Sequence, residues 1–182
     1  MSMSHLRADF RRYLTTHSGS SRPVAVVRSL LEYGFLATAV YRYGRWTRTI
    51  QPKVLSYPFK LVYSVLNTLV EMLFGIYMST NCDIGPGLYI GHFGGIFLAG
   101  DMGANCSVGQ GVTIGFKGGG KSTRTPRIGN NVYIGTSAVV VGDITIGDGA
   151  MIGANTTVVK DVPPGYTVVS AAPRMFPPKG EV

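Results

Sequence analysis

From Ile84 to Val162 the chain places an aliphatic residue at every sixth position. Ile84, Ile90, Ile96, Met102, Val108 and Ile114 form one series, and Ile128, Ile134, Val140, Ile146, Ile152 and Val158 form a second. Neither the period of two of a strand nor the 3.6 of a helix produces this spacing. Glycine follows most of these residues, as at Gly85, Gly103, Gly129 and Gly147, and the fifth place of each hexad is apolar or small. The pattern predicts a mainly β protein, a parallel β-helix in which each hexad forms one flat face. The aliphatic side chain fills the interior, and the glycine beside it allows the corner. Three hexads close a coil, so the array predicts about four coils, whose stacking buries what no single hexad can. A β-sandwich would instead need alternation with a turn about every 8–12 residues.

The two series are eight residues out of phase, which predicts a looped-out excursion over residues 116–127. Insertions in repeat arrays fall on one face, often the binding face.

Before the repeats the period changes. Residues 6–17 predict a short amphipathic helix, broken between Ser18 and Pro23. Residues 24–50 predict a second helical region with Leu30, Leu31, Phe35, Leu36 and Val40 on one apolar face. The run 54–78 is the most hydrophobic, but Lys60 and Glu71 leave only ten uncharged residues between them, short of the roughly 20 that a spanning helix needs. It is expected to be a buried or oligomer-facing helix. Apposition to a membrane surface, helped by Arg42, Arg45, Arg48 and Lys53, is the alternative. The organisation expected is a helical region over 1–80, a β-helix over 81–166, and a strand with a tail over 167–182.

Charge sharpens this division. Residues 1–80 hold ten Lys and Arg against three acids, whereas residues 81–182 hold seven against six, so +7 of the net +8 lies in the helical region. Cys82 and Cys106 alone imply no disulfide framework, and Cys106 falls on an interior place of its hexad. Residues 1–14 lack the apolar core of a signal peptide. A cytoplasmic protein is expected, with peripheral attachment to the inner face of the membrane as a variant.

Within the repeats the only histidine is His92, in Gly91-His92-Phe93-Gly94-Gly95, an outward place among small residues. An exposed imidazole can accept a proton near neutrality, although most exposed histidines do nothing. Gly115 to Ser122 satisfies the letter of the phosphate-cradling loop G-x-x-x-x-G-K-[ST]. That loop requires a helix at its Lys-Ser end, and with Thr123-Arg124-Thr125-Pro126 following and the repeat resuming at Ile128 there is no room for one. Lys117, Lys121, Arg124 and Arg127 could still meet the phosphates of a cofactor less formally.

The hexads, the G-H-x-x-G around His92, the QGVTIG at 110–115, the glycine-rich excursion ending in Pro126 to Gly129, and the IGANTTVVKDVPPG run at 152–165 together resemble the serine acetyltransferase branch of the hexapeptide-repeat acyltransferases. In layout, YRYGRW at 41–46 and the hydrophobic run into Phe74-Gly75 look more like the short bacterial exopolysaccharide members, such as colanic acid acetyltransferases. The resemblance implies a left-handed helix, a homotrimer with sites between neighbouring subunits, and transfer of acetyl from acetyl-CoA to a hydroxyl, without metal or nucleic acid. It makes His92 the general base and places cofactor contacts at Gly118, Gly119, Gly120, Lys121, Ala138, Ala154 and Lys160.

Two departures accompany it. The acid that orients the histidine in serine acetyltransferases falls on Tyr77, which leaves Asp83 as the nearest upstream acid. The aspartate that precedes their histidine is Gly91 here, and their second histidine is Thr125. Both are associated with the amino-acid acceptor. Their loss favours a hydroxyl of a saccharide or polysaccharide precursor as acceptor, with serine O-acetyltransferase of cysteine biosynthesis as the alternative and a non-catalytic trimeric scaffold as the second.

Overall fold

The computed structural model describes residues 3–17, 19, 21–118 and 124–172. Four helices precede a three-faced solenoid. They are α1 (Met3–Thr16), α2 (Arg22–Leu31), α3 (Tyr33–Thr47) and α4 (Tyr57–Phe74). The first face stacks β1 (Ile76–Met78), β3 (Ile96–Leu98), β6 (Thr113–Gly115), β9 (Val139–Val141) and β12 (Thr157–Val158). The second stacks β4 (Asp101–Met102), β7 (Arg127–Ile128) and β10 (Thr145–Ile146), flanked by single bridges at Ile84 and Val162. The third stacks β2 (Tyr89–Ile90), β5 (Ser107–Val108), β8 (Tyr133–Ile134), β11 (Met151–Ile152) and β13 (Thr167–Val168). All pairing is parallel, and on the third face Ile90, Val108, Ile134, Ile152 and Val168 stand in register.

The register explains why one aliphatic residue per face is enough. Ile84, Ile90, Ile114, Ile134, Val140, Ile146 and Ile152 are fully buried, each over its counterpart in the next coil, and form one continuous core. The phase slips once near the start. Ile96 pairs with Ile76 but Leu98 pairs with Ile114, so β3 carries two inward residues and the step to Met102 shortens.

The glycines serve a different purpose from the one expected. Those that follow the aliphatic residue have no positive φ, so they do not make the corners. A Cβ on Gly85 would lie 2.6 Å from the carbonyl carbon of Gly103, and one on Gly135 would lie 2.7 Å from the amide of Ala154. Adjacent coils are a β-sheet spacing apart, about 4.8 Å, and at this place no side chain fits between them. The corners turn two residues later, at Gly87, Gly111 and Gly149, which adopt the left-handed conformation freely, and at Asn105, Asn131, Ser137 and Asn155, whose short polar side chains tolerate it.

The helical region departs from expectation at one joint. Residues 24–50 do not form one helix: Glu32 is extended (φ −62°, ψ 126°) and α2 meets α3 at 63°. Phe35 is buried as expected, but Leu31 beyond the bend is 66% exposed. Of the two settings expected for α4, burial within the chain is not the one found, since only Val70 is enclosed while Leu61, Val65, Leu69, Met72 and Leu73 face outward. No single described helix is long and apolar enough to cross a membrane, although the bent pair α2 and α3 passes by length and composition.

A buried polar staple fixes the helices to the first coil. Asp9 and Arg42 are almost wholly enclosed, with Arg42 Nε donating to Asp9 Oδ2 at 2.9 Å. Asp9 also accepts from the amides of Gly87 and Leu88, and Arg42 donates to the carbonyls of Ile84 and Gly85. Beside them the Tyr41 hydroxyl donates to Cys82 O at 2.8 Å and accepts from Ile84 N at 3.0 Å. Both cysteines are buried free thiols.

Candidate active site

The solenoid visits its faces in a fixed order, so each corner belongs to one edge of a prism. His92 lies between β2 and β3, at the edge joining the third face to the first. The corners of the next coils stack beneath it, and those containing Ala138 and Ala154 fall on this edge. Gly118 lies between β6 and β7, at the other edge of the first face, and Lys160, between β12 and the bridge at Val162, stands on that same edge. The expected residues therefore form two groups on opposite edges of one face, and a single protomer does not bring them together.

Their local settings differ. Ala154 and Lys160 are exposed, whereas Ala138 is fully buried. Its methyl occupies the small fifth place of the hexad inside the solenoid, so the expected cofactor contact cannot be made by that side chain. Gly118 is exposed, and Gly119, Gly120 and Lys121 lie outside the described residues. The flanking residues 116–118 and 124–126 are not helical. Where the excursion returns, Arg124 and Arg127 reach Asp143 at 2.9 and 3.5 Å.

His92 is exposed and helps line a cavity of about 160 Å³ with Glu32, Tyr33, Gly34, Ile90, Gly91 and Phe93. The helices build the opposite wall. Tyr13 of α1 is buried and clasps the first coil, its hydroxyl accepting from Ile90 N at 2.9 Å and lying 3.4 Å from Ile90 O. Burial pushes the Tyr13 phenol well above its ordinary range, so it stays protonated as a donor to that carbonyl. Gly34 follows in contact with the same strand: a Cβ there would stand 2.5 Å from both Ile90 O and the Tyr13 hydroxyl. Only glycine lets the first turn of α3 come this close, and that approach delivers Glu32 and Tyr33 to the histidine. Tyr33 packs edge-on against Phe93 at 4.7 Å.

Asp83 does not line this cavity. Its carboxylate, 76% exposed, pairs with Arg45 Nη2 at 3.1 Å, and it precedes Ile84 of the second face, away from the edge of His92. Tyr77 stacks flat on Phe97, with ring centres 4.8 Å apart. Glu32 is the acid that shares the cavity with His92, and its Oε1 lies 3.1 Å from His17 Nε2. Sequence reasoning missed it because it lies sixty residues from the histidine on another element. One signal was available: Glu32 is the only acid between Asp9 and Glu71. No group of three metal-ligating side chains is poised to hold a metal ion among the described residues.

Residues 125–160 match the family described as bacterial transferase hexapeptide (six repeats). The chain is 36% identical over 115 residues to a serine acetyltransferase of Helicobacter pylori, covering 62% of this chain and 67% of that one. It is 30% identical over 173 residues to a serine acetyltransferase of Synechococcus elongatus, covering 94% and 67%. The crystal structure of Neisseria gonorrhoeae serine acetyltransferase in complex with serine superposes with a TM-score of 0.72 at 32% identity, covering 92% of this chain and 66% of that one. The chain thus spans about two thirds of the length of the relatives it matches.

These likenesses correct the expected acceptor. The relatives are serine acetyltransferases and one of them holds serine, so the saccharide acceptor and a place in polysaccharide biosynthesis give way to the serine alternative. The reading from Gly91 and Thr125 rested on two positions, whereas the likeness to serine acetyltransferases extends over 115 to 173 residues. The comparisons add no support for membrane-surface contact.

Proposed function

The chain belongs to the serine acetyltransferases of the hexapeptide-repeat acyltransferase superfamily, and from that membership we propose that it transfers the acetyl group of acetyl-CoA to the side-chain hydroxyl of L-serine. Its solenoid is the left-handed form of the parallel β-helix. The observation that carries the reading is the placement of His92, exposed on the wall of a cavity sized for a small amino acid. A volume of about 160 Å³ equals the liquid volume of about five waters.

In this reading the His92 imidazole accepts the hydroxyl proton as the serine oxygen attacks the thioester carbonyl. The carbon–sulfur bond then breaks, and the imidazolium returns the proton to the departing thiolate, giving O-acetylserine and free coenzyme A. A backbone amide would hold the oxyanion, and no acyl-enzyme is needed. Exposed Lys117 and Lys160, on one edge of the first face, are suited to the phosphates of the donor. Because His92 stands on the other edge, a complete site takes one edge from each of two protomers, and a closed ring of three supplies three such grooves.

The test is thiol release from acetyl-CoA on addition of L-serine. His92→Ala is expected to lower kcat about 10²- to 10⁴-fold, the usual contribution of a general base. An unchanged rate in that variant, or no serine-dependent release by the wild type, overturns the proposal.

A further inference from the structure

Glu32 is placed as a component of the cavity rather than of the scaffold. It occupies the extended joint between α2 and α3 and makes no side-chain capping bond to the amides of α3. Its carboxylate is about one-third exposed and shares the lining with His92. Among the described residues no lysine or arginine lines the cavity, and the carboxylate lies 3.1 Å from the His17 imidazole. The cavity therefore opposes an anion to a proton acceptor across a space of small-molecule size.

Resting on the serine reading, we infer that Glu32 binds the α-ammonium of the acceptor and so selects amino alcohols over uncharged alcohols. An ammonium on Glu32 and a hydroxyl toward His92 fix two points of the acceptor and present its oxygen to the base. Gly91 supplies no carboxylate beside His92, and Glu32 provides one from another element. A neutral alcohol would leave the carboxylate with the His17 contact alone in a partly dehydrated site, and such poorly matched polar groups are what make a pocket discriminate.

The experiment compares acceptors and variants in the full-length protein. Glu32→Gln is expected to raise KM for L-serine at least about tenfold with kcat within about threefold, and to lower the inhibition constant of glycerate, which has no ammonium and no longer faces an unmatched anion. A merely structural role would shift both ligands together. Independently of any variant, ethanolamine is expected to compete with serine better than glycerate does in the wild type. Should Glu32→Gln fail to fold, that ranking and Glu32→Asp carry the test, with Glu32→Asp retaining discrimination against glycerate. An unchanged KM in Glu32→Gln, or glycerate competing better than ethanolamine, overturns the inference and leaves the serine reading intact. Absence of serine turnover in the wild type overturns the serine reading and this inference with it.

Discussion

Gly34 has the most exacting surroundings of any residue near the site. It carries no unusual dihedral, yet its missing side chain sets the distance between α3 and β2. Gly34→Ala would force a methyl against a carbonyl and a hydroxyl, both held by hydrogen bonds to each other's residues. Relief requires α3 to move off the coil, at a cost of about 1–3 kcal/mol, the range for overpacked cores. Since Glu32 and Tyr33 ride on that turn, KM for the acceptor should rise in parallel. Urea denaturation and steady-state kinetics on the same variant check both. A destabilised Gly34→Ala with unchanged KM would mean that the cavity does not depend on this contact.

Among the elements, the helices and the solenoid meet through few but costly groups. The Asp9–Arg42 pair serves α1, α3 and the turn from Ile84 to Leu88 at once. Removing one member leaves the other charged and enclosed, which costs about 3–5 kcal/mol. Arg42→Ala is therefore expected to lower the thermal midpoint more than any single substitution on the exposed side of α4. Pairing it with Asp9→Leu should not restore the loss, because the amides of Gly87 and Leu88 would then lack their acceptor. Circular dichroism melts of the two variants decide this, and full recovery in the double variant would show that only the ion pair mattered.

For the whole molecule, under the proposed function the protomer is half of two sites, because His92 and the excursion are separated by the width of the first face. The chain is expected to elute at about three times its 19.5 kDa mass in light-scattering chromatography. A sharper check uses complementation. His92→Ala and a variant lacking residues 117–123 should each be inactive alone, yet co-expression should restore part of the serine-dependent turnover, since mixed rings regain some intact grooves. No recovery despite mixed assembly would place both edges of a site in one chain.

How much of this was readable beforehand follows from how far apart the interacting residues lie. Sixfold recurrence fixes which side chains point inward, because the constraint is local and repeats, so the solenoid, its core from Ile84 to Val158 and the excursion are all visible in the sequence. His92 stood out as the one histidine of the array. Sequence also suggested glycine at the corners; the coordinates give that role to Gly87, Gly111 and Gly149, and assign glycines that follow the aliphatic residues to the close approach of neighbouring coils, a contact between residues about 18 apart such as Gly85 and Gly103. The tertiary structure alone determined that α3 bends away from α2 at Glu32, that Gly34 seats it on β2, and that a carboxylate sixty residues from His92 enters its cavity. Repetition writes a backbone path into the order of residues, whereas the meeting of two unrelated elements is settled by which surfaces can pack, and no single stretch of chain records that.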